Sequence, residues 1–233
     1  MSESENRIVE VASKALDRVA TKILSLQDAY IIVLKSKTIA MEGLDETLSE
    51  AYSSMDERLK SIELDSQKYF MSILFIDLVS EIEIFLSYMI KVVTQHYPKK
   101  LNDVSYKLSE IVDMPSVDEL VTRAAGEYIN KLMYKKPYEY LESICKVLSI
   151  EREPLEEYWP VYVEAKCRRD LGVHNGWVCN ATYLRKLSEA GIKTEVKEGD
   201  ILLPEYRNYV HPVIAGIISI IDNVTQQIIV KYK

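Results

Sequence analysis

The chain has 233 residues, a formal net charge of −7 and 48% hydrophobic residues, enough for a self-sufficient core in one elongated domain or in a domain with an appended segment. The acidic balance speaks against a protein that coats nucleic acid non-specifically, because that mode of binding is driven by counterion release at a basic surface. Three cysteines, Cys145, Cys167 and Cys179, are odd in number and irregularly spaced, which argues against a secreted disulfide framework and fits a reducing cytoplasm.

The opening Met-Ser-Glu-Ser-Glu-Asn is acidic and lacks the basic region of a signal peptide. Seven glycines, seven prolines and a recurring three-to-four spacing of apolar residues predict an all-α chain. Ile8, Val11, Ala12, Ala15, Leu16, Val19, Ile23 and Leu24 make a first amphipathic stripe that continues toward Val33. A second helix is expected from about Leu44 to Leu64, after a break at Gly43, so that residues 1–64 form a helical hairpin preceding a main domain of residues 65–233.

The segment from Phe70 to Tyr88, ending near His96 and Pro98, is apolar on more than one face and is expected at the centre of a bundle. Its Glu81 and Glu83 either pair with an arginine in the interior or face water, since carboxylates rarely stay buried alone. Ser116-Val117-Asp118-Glu119 is a capping-box sequence that starts a helix running to about Leu132. Pro137 opens a helix through Leu148, and another begins near Pro154, is re-initiated or kinked at Pro160, and runs to about His174. Gly176 is placed to close it. Asn180 to Ala190 reads as a short capped helix and Ile192 to Leu203 as a small hairpin or irregular loop. Pro204 to Lys233 reads as the last helix. The apolar runs Phe70 to Val79 and Val213 to Ile221 are too short to span a bilayer, so no membrane partner is expected.

Arg168-Arg169-Asp170-Leu171-Gly172-Val173-His174-Asn175-Gly176 is the stretch whose residue types suit chemistry rather than packing. Arginine neutralises a phosphate through a fixed fork of donors, and histidine moves a proton near neutral pH. From Val161 to Lys186 the local charge is +3, leaving −10 on the remainder. An acidic body with one basic pocket suits short, selective engagement of a phosphate chain.

Arg169-Asp170-Leu171-Gly172-Val173-His174 resembles the signature of the HEPN superfamily: an Arg, a polar residue directly after it, and a His four to six residues beyond the Arg. The Asn175-Gly176 that follows, the helix Leu78 to Leu86 and the segment Ile129 to Ile150 are similar in pattern to prokaryotic members, and the resemblance covers roughly Asp65 to the C-terminus. It implies an up-and-down helical bundle of HEPN type with the N-terminal hairpin as an extension. It further implies a homodimeric, metal-independent endoribonuclease that needs no cofactor. Such enzymes often act as toxins or anti-phage defence effectors, with an antitoxin or regulatory protein as a further partner. The competing implication is a non-catalytic HEPN module that binds a partner protein or a nucleotide.

In such a ribonuclease the RNA 2′-hydroxyl attacks its own phosphodiester. His174 is the expected general base, Arg169 the stabiliser of charge on the non-bridging oxygens, and Asp170, four residues before His174 on the same helical face, the group that orients the imidazole. Arg169 and His174 are separated by about 140° on a straight helix. Their convergence therefore requires loosening at Gly172 or Gly176, or a second subunit facing the first across a twofold axis. Arg168 is an auxiliary phosphate contact or a partner of Glu164, and Asn175 a substrate contact or a helix cap. Trp177 and Tyr183 either stack a base or pack in the interior. The spacing of Cys167, His174 and Cys179 gives little support to zinc, and no metal is expected.

Overall fold

The computed structural model describes the backbone of residues 3–42, 46–101 and 104–233, and the side chains of 5–26, 28–29, 68–101 and 104–233. The first stripe folds as the long helix α1 (Glu3–Glu42). The second helix, α2 (Glu46–His96), is one continuous element where two had been expected. The reason is local: Asp65-Ser66-Gln67-Lys68-Tyr69 contains neither glycine nor proline, so nothing breaks the backbone ladder between Leu64 and Phe70. The expected break at Gly43 and helix start at Leu44 lie outside the described residues. The expected boundary between residues 64 and 65 falls within α2.

The two long helices run antiparallel, as their cross-links show. Lys22 on α1 donates to Asp77 at 2.9 Å and to Glu81 at 2.5 Å, while Arg18, one turn earlier, lies 3.6 Å from Glu81. Glu81 is buried, and these cations offset the cost of removing its charge from water. Burial works against the Lys22 ammonium, but hydrogen bonds to Glu81 and Asp77 outweigh it and move its pKa upward.

As its all-round apolar character predicts, α2 occupies the centre. Phe75, Leu78, Val79, Ile82, Leu86, Met89 and Val93 are fully buried and meet α1 and the helices α4 (Val117–Met133), α5 (Pro137–Leu148), α7 (Trp159–Asn175) and α9 (His211–Tyr232). A short helix, α3 (Leu108–Val112), precedes α4, whose cap is the expected one: Ser116 Oγ accepts from the Glu119 amide at 3.1 Å. Pro137 opens α5, and Ser149 closes it in the left-handed conformation. The next expected helix is split into α6 (Glu153–Glu156) and α7, with Pro160 in the first turn of α7, where its missing donor costs nothing.

After α7, Asn180 caps α8 (Ala181–Glu189) by accepting from the Tyr183 amide at 2.9 Å. The following segment is an irregular loop, pinned by one antiparallel bridge between Val178 and Ile201 and turning at Gly199. A π-helical turn (Tyr206–Val210) then leads into α9. The described residues are thus mostly helical and contain no strand longer than that bridge.

Helix α9 packs against α1, α2, α6 and α7, and Gly216 permits the close approach to α7: a methyl group there would sit 3.0 Å from Val161 Cγ1. By length and composition alone the helical segment Tyr206–Tyr232, with an 18-residue window of mean hydropathy 1.7, is apolar enough to cross a bilayer, a longer stretch than the run Val213 to Ile221. Half of that stretch is buried inside the fold, where Ile217, Ile220, Ile221, Val224 and Ile228 join Ile8 and Ala12 of α1 in one core.

Candidate functional site

The Arg-to-His stretch occupies the last two turns of α7, and Gly176 ends the helix in the left-handed region (φ 58°), as its position after Asn175 predicts. The helix stays regular through Gly172. That glycine has a packing role instead: a methyl group there would lie 2.4 Å from Cζ2 of Trp177, whose indole covers the α7 backbone. Neither glycine brings Arg169 toward His174, so within one chain the two side chains keep the separation that helical geometry dictates.

Arg169 turns inward. One of its terminal nitrogens bonds both carboxylate oxygens of Glu83 on α2, at 3.0 and 2.9 Å, and Lys166 Nζ bonds the same carboxylate. Of the two readings of Glu83, pairing with the motif arginine is the one realised. The Arg169 side chain keeps only 18% of its exposure and Glu83 14%. Arg169 Nε lies 3.2 Å from Asp170 Oδ1 at an angle that makes no hydrogen bond, so this nitrogen is buried without a bonded acceptor.

Asp170 faces two cations, Arg169 and Lys186 of α8, the latter at 3.2 Å. No hydrogen bond joins it to His174. The imidazole is exposed at the helix end and makes no hydrogen bond or ion pair among the described residues. Asn175 donates to the Val178 carbonyl at 2.6 Å and so fastens the turn after α7, the structural one of its two readings.

Arg168 is likewise engaged within the fold. Its Nε donates to Glu164 Oε1 at 2.8 Å, and its guanidinium lies 3.6 Å from the ring centroid of Tyr209. Glu164 also accepts from the Tyr183 hydroxyl at 2.6 Å and from the Tyr209 hydroxyl. Burial, reinforced by the Glu164 charge, drives both phenols upward in pKa, so they remain donors across the physiological range. Trp177 and Tyr183 are buried packing residues rather than exposed stacking surfaces.

What stands open is a cleft of about 370 Å³ between α7 and α8. Asp170, His174, Asn175, Thr182 and Lys186 line it, with Cys167 at its floor. Burial pushes the Cys167 thiol up to about 11, which leaves it protonated and unreactive near neutrality. The cleft therefore presents one free imidazole, one ammonium held by a carboxylate, and neutral hydrogen-bonding groups. Such a set can accept a proton and hold an anion. Lys186 as the counter-ion of Asp170, Lys166 on Glu83, and Tyr209 beside Arg168 were not evident in the sequence as members of this region. Only the cluster of basic residues around them hinted at it.

His96 ends α2, and His211 begins α9 with its ring 6.4 Å from that of Tyr206, so both sit at helix ends away from the cleft. Comparison with known proteins returned no matching family model, no matching curated protein and no matching solved structure.

Proposed function

We propose that this chain is a cytoplasmic, metal-independent endoribonuclease of the HEPN type, acting as a homodimer in which two copies of the α7–α8 cleft face one another. The observation that carries the reading is His174: a free, exposed imidazole on the wall of a polar cleft that also holds an ammonium group. A neutral imidazole removes the proton of a 2′-hydroxyl, whose oxygen then forms the new bond to phosphorus. The bond from phosphorus to the 5′-oxygen breaks, leaving a 2′,3′-cyclic phosphate and a 5′-hydroxyl. The leaving oxygen takes its proton from a second acid, which a twofold-related His174 supplies.

In this reading Lys186 is the cation that shares the cleft with the free imidazole, and Arg169 reaches the phosphate by exchanging Glu83 for the incoming anion. Asp170 positions Lys186 rather than the imidazole. Arg168 and Asn175 build the walls. A role as toxin or defence effector, with an antitoxin or regulatory partner, follows from the resemblance to the superfamily.

A second reading has its own observation. Arg169 is tied to Glu83 and Asp170 in an internal ion network, which suits a non-catalytic module that binds a protein or nucleotide. Incubation of the purified protein with total RNA and tRNA in chelator separates the two. Cleavage should persist without metal, give cyclic phosphate ends, and fall about 10²–10⁴-fold in His174→Ala with the helical circular dichroism unchanged. Undiminished cleavage by His174→Ala, or a strict need for Mg²⁺, overturns the catalytic reading.

A further inference from the structure

A second cleft, of about 280 Å³, opens beside the first between the α4–α5 turn, α7 and α8. The two share Cys167, Asp170 and Lys186 as a common wall and so adjoin one another. Five cations, among them Lys136, Arg185 and Lys186, line it against only Asp170 and Glu189. On a chain of net charge −7 this is a local reversal of sign. Lys136 makes no ion pair or hydrogen bond through its ammonium among the described residues.

A further feature points to an aromatic occupant. Tyr134, at the end of α4, stands 92% exposed on the lip of the cleft, next to the half-exposed Met133.

We propose that this cleft holds one nucleotide of a single-stranded RNA adjoining the linkage cut at His174, its base stacked on Tyr134 and its phosphate between Lys136 and Lys186. The proposal deepens the ribonuclease reading and rests on it for the neighbouring site. Aromatic stacking combined with a cationic track binds a strand without strong sequence preference.

The test is fluorescence anisotropy with the full chain and a labelled single-stranded RNA octamer carrying 2′-O-methyl groups throughout, which has no nucleophile and cannot be cut. Tyr134→Ala should weaken binding about 5- to 100-fold, the range expected for one lost base stack. Lys136→Ala should weaken it and lower the slope of log affinity against log salt by about 0.7. Both residues are exposed, so neither change threatens folding. Affinity unaltered in both variants overturns the proposal. So does 5′-AMP binding as tightly as the octamer, which would make this a free-nucleotide site. Polyglutamate competing as well as RNA would reduce it to a charged surface and overturn it too. Val230→Ala, an exposed change on α9 that lines neither cleft, serves as the control and should bind the octamer like the parent. If His174→Ala still cleaves ordinary RNA while Tyr134→Ala loses binding, the catalytic reading fails and the nucleotide cleft stands.

Discussion

Glu83, on α2, holds Arg169 inward from a distant part of the chain. A guanidinium at the surface of a helix samples many rotamers, but here a carboxylate 86 residues earlier in the chain fixes one of its nitrogens with two bonds. The motif itself was legible: the Arg and His, the closing Gly176 and the polar Asn175 are all local features. The inward turn of Arg169 was not, because it depends on which residue of α2 faces which turn of α7. Gly172 teaches the same lesson. Sequence alone made it a point of loosening in the helix, whereas it is the floor on which the Trp177 indole rests. Gly172→Ala forces a methyl group into that ring and should lower stability by about 1–3 kcal/mol, as overpacking does elsewhere. The midpoint of urea unfolding measures this, and an unchanged midpoint would mean that the indole does not cover the helix.

At the scale of elements, capping and proline chemistry were readable from short range. Ser116, Pro137, Gly176 and Asn180 start or stop their helices where the residue types direct, since each acts on backbone groups within a few residues. The expected end near Leu64 is not realised, because residues 65–69 carry neither glycine nor proline and α2 continues through them. Tyrosines crowd the seams between helices. Burial raises the pKa of Tyr140, Tyr162, Tyr183 and Tyr209, and the Lys22 ammonium between α1 and α2 is raised by its two carboxylate partners. Groups whose folded-state pKa lies above the unfolded value hold their full stabilising effect below the unfolded value, near pH ~10 for both residue types. That stability is lost as pH climbs through the folded values. Unfolding midpoints should therefore be flat with respect to these groups between about pH 8 and 9.5 and decline steeply above about pH 10. Tyrosine absorbance followed in parallel should show these phenols ionising only as the fold is lost. Full titration of all sixteen tyrosines in the intact protein would contradict the burial described.

For the molecule as a whole, the interior is continuous from the first helix to the last. Ile8, Ala12, Val19 and Ile23 of α1 share one core with α2 and α9, so the N-terminal segment completes the bundle. The sequence pointed to an all-α chain through spacing alone. It could not show that α1 packs along α9, a contact between opposite ends of the chain that leaves no local trace. Removal of residues 1–64 would uncover apolar faces of both α2 and α9. The fragment 65–233 should consequently be aggregation-prone, or bind a hydrophobic dye with loss of near-ultraviolet dichroism. A fragment with sharp, cooperative unfolding would show that the remaining helices suffice.

The chain of charges running from Lys166 through Glu83, Arg169 and Asp170 to Lys186 consists of three cations and two anions. It carries one uncancelled positive charge. A phosphodiester brings a single negative charge, so its arrival would complete the alternation and leave the relay electrically neutral. The same relay would meet a neutral sugar or an amine with no comparable compensation, which makes charge matching a first filter on what can settle at this end of α7.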